Sequence, residues 1–344
     1  MKNLILFVTF FYFRILFVHG QDFKLFLIGD TGEDTVLGTT MLHLLDTISN
    51  YPNSAVIFLG DNCYKRWIIG ERKGFDSTEI TIKRLGIQLN GLYESGYSGN
   101  VYFIPGNHEW WNVTRFEKGK RNVSMEERFI DRNLENNRNI KNNTSAFLPE
   151  KGDPITAVDL NGKCLKLIIL DTQWLLSNKN DDERSLVYCR LDSLLEIGIA
   201  QHQKIVVAGH HPIFTLGSHS KKHWNQFPKF YKVQDIYHPL YNEMRIKLDS
   251  ILSQKKYPII YTSGHDHSLE YFKKDSVDYF VSGSGSKISS YSRKLDFNPH
   301  PEKDIPPSII CKLKNGFFEL NFTEKETEVY MFYLDDQARK ERVK

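Results

Sequence analysis

Short apolar runs recur along the chain, and each of them ends in polar residues. The six runs are FKLFLIGD (23–30), SAVIFLGD (54–61), VYFIPGN (101–107), LKLIILDT (165–172), KIVVAGH (204–210) and YPIIYTSGH (257–265). They are β-rich and apolar at successive positions, which is typical of strands with both faces buried. The pattern predicts strands between packed layers, with functional side chains on the loops at their C-terminal ends.

Segments with helical spacing lie between these strands. Apolar residues of TTMLHLLDTISN (39–50) and HPLYNEMRIKLDSILSQ (238–254) fall on one stripe of a helix. The alternation of strand and helix favours an α/β layered core. Near the C-terminus, SIICKLKNGFFELNF (308–322) and EVYMFYLD (328–335) predict antiparallel strands packed on a sheet edge, with a turn at 315–316.

Residues 112–150 differ in composition from the rest of the chain. They are highly charged and rich in asparagine, with too few apolar residues for a core. We expect a surface excursion with one helix near 125–135. Because the chain has no internal repeat and no low-complexity linker, residues 21–344 are predicted to form a single domain.

The overall composition indicates a globular protein. Of the 344 residues, 40% are hydrophobic, 25% are charged and 13% are aromatic, which argues against a disordered chain. The formal net charge is only +3, and no concentrated basic face is visible in the sequence. Because phosphate contacts demand such a face, we expect no nucleic-acid partner.

The N-terminal residues have the pattern of a secretory signal. Lys2 precedes the apolar run LILFVTFFYF, Arg14 interrupts it, and residues 18–20 end it. An uncleaved anchor is the alternative, but the run falls short of the roughly 20 apolar residues that a bilayer requires. We predict a signal peptide at 1–20 and no later membrane span. The protein is then secreted, or lies in a periplasmic or lysosomal-type compartment, depending on its source.

Export makes disulfide bonds possible but does not assign them. The four cysteines are Cys63, Cys164, Cys189 and Cys311. They could pair in three ways if all were bridged. Because their spacing is irregular and contains no CxxC motif, a cysteine-rich zinc site is not expected.

The ends of five predicted strands carry residues that can bind metal ions. The motifs are GDTG (29–32), GDNCY (60–64), GNHE (106–109), VAGHH (207–211) and GHDH (264–267). The donors are Asp30, Asp61, Tyr64, Asn107, His210, His265 and His267. Oxygen donors combined with imidazole suit iron, manganese or zinc. Because seven donors exceed the four of a single zinc site, we predict two adjacent ions bridged by a carboxylate.

The order of these motifs resembles that of the purple acid phosphatases, a branch of the calcineurin-like metallophosphoesterases. The similarity runs from Asp30 to His267, and Tyr64 lies three residues after Asp61, as in that branch. Gly32 stands where most of the superfamily has a histidine. Chain size and the export signal are similar to the short, tartrate-resistant type. The resemblance implies an α/β fold, a four-layer αββα sandwich with two mixed sheets flanked by helices.

The resemblance also assigns the donors to two ions. Ligands of a ferric ion would be Asp30, Tyr64 and His267. Asp61 would bridge the two ions. Ligands of a divalent iron, zinc or manganese ion would be Asn107, His210 and His265. With hydroxide bound, five positive charges would then face four negative ones, so the cluster would attract phosphate.

Two further histidines would be catalytic by the same resemblance. His108 faces the substrate in the resembling enzymes, so it would stabilise the transition state or protonate the leaving group. His219 is similar to another substrate-facing histidine, with a surface loop residue as the alternative. Glu109 is a candidate for orienting the ligands. Asp266 is expected to be solvated rather than orienting, and His211 to be a loop residue.

These assignments predict a secreted acid phosphatase that hydrolyses phosphate monoesters by attack of a metal-bound hydroxide. A small-molecule phosphate ester or a phosphoprotein would be the substrate, and the protein would be a monomer. A trivalent ion acidifies its water strongly, so activity is expected below neutral pH. The alternatives are a phosphodiesterase or nucleotidase with two divalent ions, and a non-catalytic scaffold. VSGSGSK (281–287) lacks the spacing of a phosphate-binding loop and is predicted to be a turn.

Overall fold

Two mixed sheets, flanked by helices, form the centre of the protein. The computed structural model describes residues 22–34, 36–64, 77–111, 116–135, 139–142, 144–220, 233–289 and 305–344. The predicted signal peptide at 1–20 lies outside these residues. Of the helices within them, none combines the length and the apolar character that crossing a membrane requires.

The strands of the described residues fall into two sheets. In chain order they are β1 (Phe23–Ile28), β2 (Ser54–Phe58), β3 (Asn100–Phe103), β4 (Ile155–Leu160), β5 (Leu165–Leu170), β6 (Lys204–Gly209), β7 (Ile259–Ser263), β8 (Leu269–Lys274), β9 (Val277–Ser282), β10 (Ser308–Lys312), β11 (Gly316–Phe322), β12 (Thr327–Leu334) and β13 (Ala338–Arg342). The first sheet has the order β13-β12-β11-β1-β2-β3, and the second has the order β10-β8-β9-β7-β6-β5-β4. Parallel pairs such as β1 with β2 and β6 with β7 lie at the centre of each sheet. All six strands predicted from the apolar runs are confirmed.

Side chains of the central strands alternate between two apolar layers. Leu25 and Leu27 of β1 join Leu167 and Ile169 of β5 in the core between the sheets. Phe26 points the opposite way, into the core that includes the helices. Because both faces are buried, the strands lack polar alternation, and this explains their continuous apolar runs. The predicted layered α/β fold with two mixed sheets flanked by helices is confirmed.

The helices cover the outer faces of the sheets. They are α1 (Thr39–Ser49), α2 (Ser77–Glu94), α3 (Asn107–Trp110), α4 (Phe116–Glu135), α5 (Thr172–Ser177), α6 (Asp181–Ala200) and α7 (Pro239–Gln254). The predictions of α1 and α7 are confirmed. The apolar pattern of the sequence does not predict α6. Val187, Leu191 and Leu195 are buried, but Leu186 and Ile197 are exposed, so apolar residues lie on both sides of the helix and no single stripe stands out.

Two sequence expectations differ from the structure. The helix expected near 125–135 begins at Phe116 and buries Val123, Ile130 and Leu134, so this region joins the core through a narrow stripe within a polar helix. The turn at 315–316 connects strands of different sheets, because β10 pairs with β8 while β11 pairs with β1. A turn signal shows that the chain reverses, but it does not show which strand becomes the partner.

Candidate metal centre

The loops that follow β1, β2 and β7 bend sharply at the predicted donors. Asp30, Asp61 and His265 have φ angles of 59°, 50° and 70°. This left-handed conformation is costly for residues other than glycine and is commonly found where function fixes it. Gly60 precedes one bend with φ of 89°, and a Cβ atom there would approach Nδ1 of His210 to 2.6 Å. Glycine at this position therefore allows the loops of the two sheets to approach each other.

One set of donor atoms forms a compact triangle. The phenol oxygen of Tyr64 lies 2.8 Å from Oδ1 of Asp30 and 2.9 Å from Nε2 of His267. The Asp30 and His267 atoms are 3.5 Å apart. The three atoms come from three strand ends. Separations of this size are those of ligands that share one ion, because metal–ligand bonds near 2 Å place neighbouring ligands about 3 Å apart.

A second triangle lies beside the first. Oδ1 of Asn107 is 3.0 Å from Nε2 of His210 and 2.9 Å from Nδ1 of His265. The two imidazole nitrogens are 3.3 Å apart. Asn107 is the first residue of α3, and the histidines follow β6 and β7, so this set also joins both sheets.

The chemistry of the second triangle fits a cation. Nδ1 of His210 faces the carbonyl oxygen of Leu59 at 2.8 Å, and Nε2 of His265 faces that of Gln234 at 2.9 Å. A carbonyl oxygen only accepts hydrogen bonds, so these nitrogens donate, and in a neutral imidazole the opposite nitrogen carries a lone pair. Burial, together with His219 and His211, lowers the pKa of His265 well below its ordinary value. Three electron-pair donors therefore face one another, an arrangement that a bound cation stabilises.

Asp61 lies between the two triangles. Its Oδ1 atom is 3.4 Å from Nε2 of His210 and accepts the backbone N–H of His108 at 2.9 Å. Ligand atoms of Asp30, Asp61 and His210 all lie within 4.8 Å of one another. Burial would raise the pKa of Asp61, but the His210 and His108 side chains outweigh it and lower the pKa. An ionised carboxylate thus lies between the two donor triangles.

Tyr64 is held as a phenol by its surroundings. Burial, followed by the charges of Asp30 and Asp61, raises the pKa of Tyr64 well above its ordinary value. The hydroxyl therefore donates to Asp30, and a cation that binds the phenolate must displace this proton. The ammonium group of Lys287 lies 3.5 Å from the centre of the Tyr64 ring and pairs with Glu33 at 2.9 Å.

Lys287 is a site residue that the sequence did not single out. The segment after β9 includes the predicted turn and continues to Ser289, and its backbone donates to the carbonyl oxygens of Asp30 and His267. The donors are the N–H groups of Ser286, at 3.1 Å from Asp30, and of Ser289, at 3.0 Å from His267. This turn fixes Lys287 beside Tyr64. The motif signalled the turn but not its position over the ligands.

Glu109 holds the loop of Asp61 in place. Its carboxyl group is 1% exposed and accepts backbone N–H groups from Gly106 at 2.6 Å, Asp61 at 3.0 Å and Cys63 at 3.1 Å. Burial, followed by Glu126 and Asp61, raises the pKa of Glu109 well above its ordinary value. Glu109 therefore orients the Asp61 backbone.

The two candidate catalytic histidines lie at the mouth of the centre. The His108 ring meets the Tyr64 ring edge to face, with centroids 4.6 Å apart, and its side chain is 32% exposed. The His219 ring stacks on His265 with centroids 4.2 Å apart. Although burial would lower the pKa of His219, the carboxylates of Asp235 and Asp266 raise it. His219 thus lies beside the donors and not on a remote surface loop.

The expectation that Asp266 is solvated is wrong. The residue is fully buried, and it accepts hydrogen bonds from Thr215 Oγ1 at 2.7 Å and from Ser218 Oγ and His219 N at 3.1 Å each. Through these bonds the side of the segment 264–267 that carries Asp266 binds the loop of His219. The sequence alone gave no information on what would cover that side.

His211 and Gln234 extend the bonding around His265. His211 is fully buried rather than an open loop residue, and its nitrogens lie 2.7 Å from Thr172 Oγ1 and 2.8 Å from Gln234 Oε1. The Gln234 backbone carbonyl accepts from His265. Gln234 follows no strand and lies in none of the strand-end motifs, so no sequence signal marked it. Burial, followed by His210, lowers the pKa of His211 well below its ordinary value.

The cysteines take no part in the donor sets. All four lie within the described residues, and none of them forms a disulfide bond there. Cys63 follows Asn62 in the second strand-end motif, but its side chain is 1% exposed and packs in the apolar core. The thiol is therefore placed for packing and not for nucleophilic attack.

Comparison with known proteins identifies the fold independently. Residues 23–283 match the family model described as calcineurin-like phosphoesterase. A search of curated proteins returns no match. Among solved structures, GAP50, the anchor in the inner membrane complex of Plasmodium, is similar with a TM-score of 0.58, 16% identity, and coverage of 94% of this chain and 89% of that one. A dimetal phosphatase from Danio rerio has a TM-score of 0.50, 11% identity, and coverage of 94% and 99% respectively. At these identities the likeness establishes the fold alone.

Proposed function

Because the chain belongs to the calcineurin-like phosphoesterase family, we propose that it is an acid phosphatase that hydrolyses phosphate monoesters at a dinuclear metal centre. The observation that carries the proposal is the pair of donor triangles with Asp61 between them. Every predicted donor position holds a residue with a free electron pair or an ionisable oxygen. A chain that had lost its metals would have no reason to keep three acceptors facing one another.

The proposed ions are Fe(III), held by Asp30, Tyr64 and His267, and a divalent iron, zinc or manganese ion, held by the second triangle. When bound, such a pair activates water and neutralises charge on the phosphate. Tyr64 is the residue that favours iron, because a phenolate is a hard ligand suited to a trivalent ion. Its partners Asp30 and His267 complete a donor set of oxygen and nitrogen without thiolate.

The chain's own residues supply orientation and protons. His108 lies within 3.9 Å of Asp61 and is partly exposed, so it can hydrogen-bond to a phosphate oxygen at the mouth. His219 lies against His265 and is held by a carboxylate, so it can protonate the departing oxygen. Lys287 adds a positive charge on the Tyr64 side. These groups favour an anionic substrate over a neutral one.

The proposal also covers the substrate, the oligomeric state and the location of the protein. A small-molecule phosphate ester or a phosphoprotein is the proposed substrate, the protein is proposed to act as a monomer without nucleic acid, and residues 1–20 are proposed to direct export. The proposed compartment is extracellular, or periplasmic or lysosomal in type. These assignments rest on composition, the N-terminal pattern and the resemblance of the motifs.

Two alternatives remain as outcomes of the test. A phosphodiesterase or nucleotidase would use two divalent ions and would not require the phenolate of Tyr64. A non-catalytic scaffold is suggested by the description of GAP50 as an anchor. The complete donor set weighs against this scaffold, because an anchor needs the fold but not the metal ligands.

Elemental analysis and a visible spectrum of the purified protein test the proposal together with a phosphatase assay. We expect two metal ions per chain including iron, a visible tyrosinate-to-iron band, and hydrolysis of p-nitrophenyl phosphate that is faster below neutral pH. An active, colourless and iron-free protein would establish the divalent alternative. A metal-free protein without activity would establish the scaffold.

A further inference from the structure

His219 is held from three directions in this structure. Oδ1 of Asp235 lies 3.0 Å from its Nδ1 atom, and its backbone N–H donates to Asp266 at 3.1 Å. Its ring stacks on His265 with an interplanar angle of 25°. The residue after Asp235 also binds this loop, because the N–H of Ile236 donates to the His219 carbonyl oxygen at 3.0 Å. The imidazole therefore has a fixed position and a fixed rotation.

The opposite nitrogen of the ring is available to substrate. The contacts found in the described residues engage Nδ1 of His219, and its side chain is 25% exposed. Asp235 is more deeply placed, with a side chain only 10% exposed. The carboxylate thus binds the ring through Nδ1 from the more buried side of the pair, which leaves Nε2 as the nitrogen that can meet a substrate. The stacked His265 places this nitrogen beside the donor triangles.

We propose that Asp235 is a positioning residue that fixes His219 so that its Nε2 proton is delivered to the leaving oxygen of the phosphate ester. This inference rests on the proposed phosphatase function and deepens it. No sequence motif marks Asp235, which follows His219 by sixteen positions and lies outside every strand-end motif.

A hydroxide ion forms a new bond to phosphorus while the bond from phosphorus to the ester oxygen breaks. The electron pair of the broken bond stays on the ester oxygen, which takes the Nε2 proton of His219 and leaves as the alcohol. His219 is left neutral, with its remaining proton on Nδ1 and hydrogen-bonded to Asp235, and solvent returns a proton to Nε2. The Asp235 carboxylate thus keeps a proton on Nδ1 of His219 throughout the cycle, so that Nε2 is always the nitrogen that gives and regains a proton.

The leaving group provides the test. An alkyl phosphate such as glycerol phosphate needs its leaving oxygen protonated, whereas p-nitrophenolate leaves without a proton. In Asp235→Ala, kcat for the alkyl phosphate should fall by about 100-fold or more. With p-nitrophenyl phosphate, kcat should fall by no more than a few fold, and KM should change little for both. Asp235→Asn retains an oxygen that can accept from Nδ1, so it should give a smaller loss with the same selectivity.

A double-mutant cycle distinguishes positioning from general damage. His219→Gln should show the same selective loss, and Asp235→Ala added to it should cause little further loss, because the two residues act as one unit. Asp278→Ala is the matched control, since Asp278 is another buried aspartate, bonded to Tyr271 at 2.8 Å. It should show no dependence on the leaving group. Metal content should stay at two ions per chain in every variant.

Equal losses on both substrates, no loss at all, or additive losses in the double variant would overturn the positioning role of Asp235 while leaving the phosphatase proposal intact. Failure of the wild-type protein to hydrolyse either substrate would overturn the phosphatase proposal itself.

Discussion

The phenol oxygen of Tyr64 and the Nε2 atom of His267 lie 2.9 Å apart, although 203 positions separate the two residues in the chain. Tyr64 follows β2 of the first sheet, and His267 follows β7 of the second. The contact therefore exists only because the two sheets pack with their functional loops at the same edge. Asp30 joins both residues, so a change at Tyr64 should affect one ion site directly.

We expect Tyr64→Phe to abolish the visible band and to weaken binding of the trivalent ion, because the phenylalanine ring has no oxygen to coordinate it. The visible spectrum and iron content of the purified variant measure this. Tyr97→Phe is the matched control, since Tyr97 is buried and bonds to Ser54 at 2.8 Å. An unchanged spectrum in Tyr64→Phe would show that the phenol is not a ligand.

We expect Asn107→Leu to lose the ion of the second triangle and to keep that of the first. The amide oxygen contacts both His210 and His265, whereas the Tyr64 triangle does not use it. Metal content should fall from two ions per chain towards one, and the visible band should remain. Asn100→Leu serves as the control, because that side chain bonds to the Lys141 carbonyl oxygen at 3.1 Å. Two fully bound ions in Asn107→Leu would exclude the proposed role.

We expect Glu109→Ala to weaken metal binding by about 10- to 100-fold, because the carboxyl group orients the Asp61 backbone without facing the donors. Three buried N–H groups lose their acceptor, so the free energy of unfolding should fall by about 3 kcal/mol or more. Metal titration and urea unfolding measure the two effects. A loss of stability with unchanged metal affinity would limit Glu109 to a structural role.

The pH dependence of stability should depend on Asp171. Burial is the main cause that raises its pKa from 3.8 to about 7, although Trp174 and Trp110 donate to its carboxyl group. Between about pH 4 and pH 7 the folded state then keeps a proton that the unfolded state has lost. The free energy of unfolding should therefore fall as pH rises through this window, by on the order of 1 kcal/mol per pH unit.

Asp171→Asn removes this titration, and the difference between wild type and variant isolates it from other groups. Urea unfolding at pH 4.5, 5.5 and 6.5 should give a flatter dependence for the variant than for the wild type. Parallel curves for the two proteins would mean that the buried carboxyl group does not keep its proton. The comparison does not require an active enzyme.

Much of the fold could be predicted from local pattern. The six apolar runs gave strands because both of their faces are buried, and α1 and α7 carry clear stripes. The helix α6 was not predicted, because exposed Leu186 and Ile197 blur its periodicity. The partners of β10 and β11 could not be predicted either, because pairing depends on which sheet edge is within reach.

The supporting residues around the candidate site were less visible in the sequence. Glu109 was noticed only because it is the last residue of the motif GNHE, and its three backbone contacts became apparent in the structure. Gln234 and Asp235 lie in no motif, and Lys287 lies in a motif that predicted only a turn. Their roles depend on contacts across the chain, which leave no periodic signal.

The sequence by itself determined the strands and the polar residues at their ends, because side-chain periodicity and turn chemistry are local properties. It also identified the types of donor atom, since those are fixed by residue identity. Only the tertiary structure decided which donors share a triangle, which way Asp266 points and which carboxylate holds His219. Those relationships join residues far apart in the chain, and they follow from the packing of the two sheets rather than from any single segment.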